Sequence, residues 1–171
     1  MRRPHTTQPG FTLLELLLYV SILGAVMLAT VTFFGTVTTA RVKNQSIAEV
    51  NDQGAHAMDL VLQTIRNATS ITAPAAAGSA ASLTLVVPTG SLSPTIINLN
   101  GTALQVKQGS AAAVPLTSDD VQIPSITFKN VTRSGTPGIV QVSFVMKRTN
   151  PNNRNEYDYQ KTFTGSAEVA W

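Results

Sequence analysis

An uncharged apolar segment near the N-terminus constrains this chain more than any other feature. Residues 16–40 form a run of 25 residues without a charge, and Glu15 is the single charged residue between Phe11 and Ala40. About 20 such residues are enough to cross a bilayer as a helix. Basic residues flank the segment on both sides, so their number alone does not set its orientation. The sequence therefore predicts one membrane-spanning helix.

Three interpretations of this segment remain open at this point. A cleaved secretory signal has an apolar stretch of about 7–15 residues and then a small-residue cleavage site, whereas this run is longer and lacks a clear site at its end. An uncleaved anchor explains the length but not Glu15, because a carboxylate at mid-helix costs about 2.5–3.5 kcal/mol on insertion scales and less near the helix end. In the third interpretation, Glu15 has a charged partner.

The residues around Glu15 indicate what that partner is. Residues 9–16 read Pro-Gly-Phe-Thr-Leu-Leu-Glu-Leu, which closely resembles the processing site of the type IV pilin superfamily, including the pseudopilins of type II secretion and of competence systems. In that family a short basic leader ends in Gly, a prepilin peptidase cuts after it and N-methylates the new first residue, usually Phe, and the fifth mature residue is Glu. The resemblance implies a leader over residues 1–10, cleavage between Gly10 and Phe11, methylation of Phe11, and an assembly role for Glu15.

The chemistry of such a site is consistent with these residue types. Cleavage creates a cationic amine on Phe11, and in a helical filament that amine can lie beside the Glu15 carboxylate of a neighbouring subunit. In a low-dielectric core the two charges attract strongly, while either charge alone carries a large desolvation cost. The pair would therefore set the axial register between subunits. The alternative is that Glu15 extends to the lipid headgroups without a partner.

The remainder of the chain predicts an α+β fold. Apolar residues recur at helical spacing from Ile47 to Ala68, and Pro74 places the helix end near residues 70–72. Alternating strands follow, among them a hairpin at Asn100-Gly101 and an irregular strand at Pro124. We expect a long N-terminal helix, its first half transmembrane and its second half packed against a small antiparallel β-sheet head. The predicted segments are leader 1–10, transmembrane helix 11–40, amphipathic helix 41–72, linker 73–82 and head 83–171.

Composition argues against an enzyme. The chain has no cysteine, which excludes a disulfide scaffold, a thiolate zinc site and a thiol nucleophile. Of its two histidines, His5 lies in the predicted leader and His56 one helical turn from the apolar stripe. Asp119-Asp120 is a poor match to the six or more oxygens that calcium needs, so we interpret it as a turn. We expect no catalytic residues, no cofactor and no metal site.

One loop offers a candidate for DNA contact. Lys147, Arg148 and Arg154 lie in a segment rich in Asn between two predicted strands. Three cations could contact phosphates, although their counterion-release contribution would be modest. The alternative is an ordinary solvated hairpin loop, for which Asn and Pro are typical.

The order of elements resembles, more loosely, a minor pilin or minor pseudopilin. This implies a structural subunit of a pilus, or of a type II secretion or competence pseudopilus. Its implied partners are prepilin peptidase, other subunits through the N-terminal helix, the inner-membrane assembly platform, and lipids before assembly. The protein would be a single-pass inner-membrane protein with its head outside the cytoplasm, and later part of the filament. The alternative is an uncleaved single-pass surface protein whose head binds a ligand.

Overall fold

The structure, a computed structural model, describes residues 10–170. The predicted leader, except Gly10, and Trp171 lie outside the described residues. The chain divides into two compact units with the boundary between Arg41 and Val42. The regular elements are α1 (Leu13–Arg66), β1 (Ser70–Ala73), β2 (Ser79–Ala80), β3 (Leu83–Val86), β4 (Thr95–Asn100), β5 (Ala103–Gln108), β6 (Val114–Pro115), β7 (Val121–Asn130), β8 (Ile139–Arg148) and β9 (Gln160–Glu168), with short 3₁₀ turns at Gly90–Leu92 and Asn155–Tyr157.

Helix α1 is long and apolar enough to span a membrane, with a mean hydropathy of 2.2 over its most apolar 18 residues. Threonine is a poor helix former, and this half of the helix contains many. Their hydroxyls donate to backbone carbonyls three or four residues earlier, for example Thr30 to Val26 at 2.8 Å and Thr39 to Gly35 at 3.0 Å. These bonds satisfy the hydroxyls within the helix itself.

The helix ends earlier than the sequence predicted. It stops at Arg66 rather than in residues 70–72, because the chain after it forms β1. The backbone N–H of Thr69 donates to the carbonyl of Val86 at 2.8 Å, and Ile71 pairs with Leu85 of β3. Pairing with a neighbouring strand thus ends the helix before Pro74 does. The predicted linker 73–82 likewise contains the short strand β2, which pairs with β7.

The β-rich part contains two antiparallel sheets, where a single small sheet was expected. One sheet has the strand order β1-β3-β4-β5-β6, and the other has the order β2-β7-β8-β9. The α+β class is confirmed, as are the irregularity next to Pro124 and the strict alternation of β8. The β4–β5 hairpin turns at Gly101 and Thr102, one residue later than Asn100-Gly101, and Gly101 has the positive φ (62°) that this turn requires.

The second half of α1 packs against these sheets. Its buried stripe includes Val50, Met58, Val61 and Ile65, as the helical periodicity predicted, while Ile47 is only half-buried. The stripe meets inward-facing residues of both sheets, among them Leu83, Leu85, Ile97, Leu104, Phe128, Val140, Val142, Phe144 and Met146.

Two glycines allow α1 and β9 to come into close contact. A Cβ added at Gly54 would lie 2.1 Å from the ring of Phe163, and one added at Gly165 would lie 2.9 Å from the sulfur of Met58. The Phe163 ring is stacked on Phe144 with centroids 5.4 Å apart. The ring therefore has little room to move away from the helix.

We predict that Gly54→Ala destabilises the head. The added methyl group overlaps the Phe163 ring, and overpacking of this kind costs about 1–3 kcal/mol of unfolding free energy. Denaturant unfolding of the purified full chain, followed by the loss of β structure, measures the change.

The matched control is Gly35→Ala, at a helical glycine whose added Cβ would have no neighbour within 4 Å. It should leave the stability of the head unchanged. Combining Gly54→Ala with Phe163→Leu should recover part of the loss. An unaltered midpoint for Gly54→Ala alone would contradict the contact.

Candidate functional site

The N-terminus of α1 carries the residues that the sequence singled out. Thr12 precedes the first helical residue, and its hydroxyl oxygen accepts a hydrogen bond from the backbone N–H of Glu15 at 3.2 Å. This is the N-cap geometry, in which a side chain satisfies a backbone donor that has no partner inside the helix. Thr12 therefore sets the first residue of the helix.

Gly10 and Phe11 lie before the helix, in an exposed segment without regular secondary structure. Both residues are exposed, and a Cβ added at Gly10 would meet nothing within 4 Å. The Phe11 side chain is 78% exposed, and its ring touches that of Tyr19 edge-on with centroids 6.4 Å apart. The Gly10–Phe11 peptide bond is thus outside any hydrogen-bonded helical turn, as a protease substrate must be.

Glu15 lies in the first turn of the helix. Its carboxylate accepts a hydrogen bond from the Tyr19 hydroxyl at 3.2 Å, and its side chain is half-buried. A negative charge in the first turn also interacts favourably with the positive end of the helix dipole. A carboxylate has about four lone-pair positions, so the hydroxyl of Tyr19 leaves it with capacity for a further, cationic donor.

The helix surface beyond this turn is apolar on all sides. Every large apolar side chain from Phe11 to Phe34 is between 50% and 83% exposed. An all-round apolar helix must be covered by protein or by lipid, and a surface this large on a soluble monomer would mark an interaction site. Within the described residues, nothing buries the most apolar window of the helix.

Two residues of this site were not identified from the sequence. Thr12 could have been found from the spacing Thr-x-x-Glu before an apolar run, which is the signature of a capped helix start. Tyr19 lies four residues after Glu15 and hence on the same helix face. With its hydroxyl on the carboxylate and its ring against Phe11, Tyr19 links the two residues that the sequence predicted to act together.

Lys147 and Arg148 are the last two residues of β8, and Arg154 lies in the loop between β8 and β9. Two of these three cations, Arg148 and Arg154, are paired with acids. Arg148 lies 3.3 Å from Asp120 and 4.0 Å from Glu49, and its side chain is only 17% exposed. Arg154 forms an ion pair with Glu156 and lies over the ring of Tyr157. Charges engaged in this way contribute less to phosphate binding, so the arrangement favours the interpretation as an ordinary loop.

The loop is instead attached to the helix. The Lys43 ammonium donates to the carbonyl oxygens of Asn155 at 3.0 Å and Asp158 at 2.8 Å. The pKa of the nearby Glu156 is held below its ordinary value of 4.5. The largest cause is a hydrogen bond from the backbone N–H of Glu156 to its carboxylate, and the Arg154 guanidinium and the Lys43 ammonium lower the pKa further. Desolvation of the carboxylate opposes these effects. Charged groups here therefore stabilise the connection between helix and loop.

Two further sequence features considered for catalysis or metal binding, His56 and Asp119-Asp120, lie in ordinary structural surroundings. His56 is exposed on α1, and Asp119-Asp120 lies in a turn where Asp120 pairs with Arg148. In residues 10–170 no group of three or more His, Cys, Asp or Glu side chains is arranged to hold a metal ion.

We predict that Glu156→Gln flattens the dependence of stability on pH. Because the pKa of Glu156 is lower in the folded chain, its contribution is present above pH 4.5 and is lost as the pH falls below that value through the folded pKa. Unfolding midpoints measured from about pH 5 to about pH 3 should fall less steeply in the variant.

The control for this measurement is Arg154→Gln. Because the largest cause of the lowered pKa is a backbone hydrogen bond, this variant should keep part of the pH dependence. Identical pH profiles for wild type and Glu156→Gln would show that the carboxylate contributes nothing to the loop.

Comparison with known proteins adds no relative. The chain matches no protein-family model, no curated protein and no solved structure. Its own residues therefore carry the functional assignment.

Proposed function

We propose that this chain is a structural subunit of a type IV pilus or of a related pseudopilus, and most resembles a minor subunit. Prepilin peptidase would remove residues 1–10 and methylate the amine of Phe11. The apolar half of α1 would lie in the inner membrane, with the head outside the cytoplasm, and would then pass into the core of a filament. The work of the protein is mechanical, and no enzymatic step is assigned to it.

The observation that carries this proposal is the arrangement of Gly10, Phe11 and Glu15 around the helix start. The cleavage position lies in exposed backbone, and the carboxylate lies in the first helical turn. A plain membrane anchor needs neither feature. The extensive apolar surface that follows supports the proposal, because the same surface suits lipid before assembly and other helices after it.

The electrostatics of the first turn explain why the acid is useful there. The new amine of Phe11 and the carboxylate of Glu15 would lie in the same low-dielectric layer of a filament. Removing one member of a buried ion pair costs about 3–5 kcal/mol, because it leaves the other charge uncompensated. Only the stagger that joins each amine to a neighbouring carboxylate avoids this cost, so the pair selects one register.

A second candidate function is that of an uncleaved surface protein with a ligand-binding head. It is favoured by an open cavity of about 510 Å³ at the C-terminal end of α1. Thr64 and Arg66 line it from the helix, and Val87, Pro88 and Leu92 line it from the segment after β3. This volume lies within the range of ligand pockets, but the acid at Glu15 has no role in that function.

We predict that the protein from its native membrane lacks residues 1–10 and carries one methyl group on the amine of Phe11. Intact-mass spectrometry and sequencing of the N-terminal peptide measure this directly. An unprocessed chain that begins at Met1 would support the uncleaved anchor.

The matched variant is Gly10→Val. Because a Cβ at this position meets nothing within 4 Å in residues 10–170, the substitution should not disturb folding. A branched side chain beside the scissile bond should obstruct the peptidase. The variant should therefore remain membrane-inserted at its full length.

We further predict that Glu15→Leu is processed normally but fails to enter filaments. Leucine removes the desolvation cost of the acid in the membrane, so insertion should be unimpaired. In the filament, however, the amine of the neighbouring subunit loses its partner. Filament content after shearing, measured against the membrane pool, should fall by about tenfold or more, which corresponds to 1.4 kcal/mol.

Tyr19→Phe is the control, because it removes the hydroxyl donor to Glu15 and keeps the carboxylate and the ring. It should assemble at nearly the wild-type level. Filaments of Glu15→Leu in wild-type amounts would refute the proposed role of the acid.

A further inference from the structure

Strand β9 runs along the second half of α1 in the same direction as the helix. The Lys161 ammonium donates to the side-chain carbonyl oxygen of Asn51 at 2.7 Å, and the backbone N–H of Ala170 donates to the carbonyl of Ala68 at 2.8 Å. The start of β9 therefore lies beside the beginning of this helical segment, and the end of β9 beside its end. The β8–β9 loop, residues 149–159, precedes β9 and lies at the beginning of the segment.

Lys43 attaches this loop close to the end of the uncharged run. Its ammonium donates to the backbone carbonyls of Asn155 and Asp158 in the loop. Lys43 is three residues after Ala40, the last residue of the run. Three residues span at most about 11 Å even when fully extended. Chain connectivity alone therefore keeps the attachment point of the loop near the end of the run.

The length of the run sets the depth of that attachment point in a membrane. The 25 uncharged residues, 16–40, measure about 38 Å as a helix at 1.5 Å per residue. The hydrocarbon core of a bilayer is about 30 Å thick, and the bilayer with its headgroups is about 40–45 Å thick. A run that crosses the hydrocarbon therefore ends within a headgroup layer, and Lys43 would lie at the surface of that layer together with the loop.

The tip of the loop, residues 151–155, presents amides and one cation. All five residues are exposed, and they read Pro-Asn-Asn-Arg-Asn. Arg154 forms an ion pair with Glu156, but the Arg154 side chain is 55% exposed and the Glu156 side chain only 12%. The cation is therefore accessible from outside while its partner is largely covered. Arg154 is also the single charged residue of the tip.

The conformation of the tip is fixed by Asn150. Its side-chain amide donates to the backbone carbonyl of Arg154 at 2.9 Å, and its side-chain oxygen accepts a hydrogen bond from the backbone N–H of Arg154, also at 2.9 Å. These two bonds close the segment into a turn. A segment that is already ordered loses less conformational entropy when it binds.

We propose that the tip of the β8–β9 loop contacts phospholipid headgroups of the membrane into which α1 inserts. The Arg154 guanidinium and the side-chain amides of Asn152 and Asn153 supply N–H donors, and the phosphate oxygens of the lipids accept them. Every phospholipid carries this phosphate, so the contact does not require a lipid with net charge.

Insertion of the helix explains why a tip with one paired cation is sufficient. A partner in free solution, such as DNA, would have to be bound by the loop alone. A headgroup is instead held beside the loop by the membrane-spanning helix, and tethering of this kind gives effective concentrations of about millimolar. A weak contact is populated under that condition. It would hold the head against the membrane surface.

This contact goes beyond the proposed function and rests only on membrane insertion of α1. The uncleaved anchor would insert in the same way, so a chain that keeps Met1 would refute processing and leave the loop contact intact. Conversely, a loop that does not touch lipid would leave the predictions for Gly10 and Glu15 unchanged.

A fluorescent label at a single introduced cysteine tests the contact, because the chain contains no cysteine. Asn152→Cys places the label at the tip. The matched control is Thr89→Cys, an exposed turn residue that borders the same cavity as Arg66. The full chain is reconstituted in phosphatidylcholine vesicles that contain some lipid with a nitroxide quencher on its headgroup. Quenching should be at least about tenfold stronger at position 152, because the helix from Lys43 to Arg66 is about 35 Å long.

Two further measurements separate contact from mere proximity. In the same vesicles, the label at position 152 should be shielded from acrylamide, a neutral quencher in the water, relative to the label at position 89. Adding Arg154→Gln to Asn152→Cys should lower the headgroup quenching by about twofold or more, because a charge-assisted donor to phosphate is lost. Arg154→Lys keeps the charge and should restore most of the quenching.

Any of three results would overturn the proposal. The first is equal headgroup quenching at positions 152 and 89. The second is a label at position 152 that is as open to acrylamide as the label at position 89. The third is wild-type quenching in the variant that carries Arg154→Gln.

Discussion

A carboxylate at the start of an apolar helical segment is costly in lipid, and in the proposed filament it would gain a cationic partner. The proposed role of the N-terminal part of this protein depends on that contrast. Thr12 fixes where the helix begins and thereby places Glu15 in its first turn, where the helix dipole and the Tyr19 hydroxyl partly compensate its charge. The same cap leaves Gly10 and Phe11 exposed and outside the helix. One local hydrogen bond thus establishes both the position of the acid and the accessibility of the proposed cleavage site.

Helix α1 contains two kinds of surface, and the change between them coincides with the boundary at Arg41 and Val42. Before it, apolar side chains cover every face, which requires lipid or other helices around them. After it, apolar residues form a single stripe that the two sheets cover. Gly54 and Gly165 bring β9 close to the helix, while Lys43 holds the β8–β9 loop through two backbone carbonyls. The head is therefore built around one amphipathic helical segment.

Charged residues in the head mostly stabilise its own connections. Arg148 joins β8 to Glu49 on the helix and to Asp120 in the preceding turn, and Arg154 is engaged by Glu156 and Tyr157. In the sequence these arginines are simply basic residues in a polar loop. Glu49 and Asp120 are distant from Arg148 in the chain, and the pairing of Arg154 with Glu156 depends on the conformation of the loop. The linear sequence shows neither pairing and therefore suggested a DNA-binding surface.

The sequence by itself determined the features that depend on local spacing. The uncharged run, the Gly10–Phe11–Glu15 spacing, the helical stripe and the alternation of β8 each reflect interactions within a few residues, so they predicted the membrane-compatible helix and the α+β class. Only the tertiary structure decided where α1 stops, because pairing of Ile71 with Leu85 competes with the helix. It also divided the strands between two sheets and paired Arg148 with Glu49. These outcomes depend on contacts between residues far apart in the chain, and no local pattern encodes them.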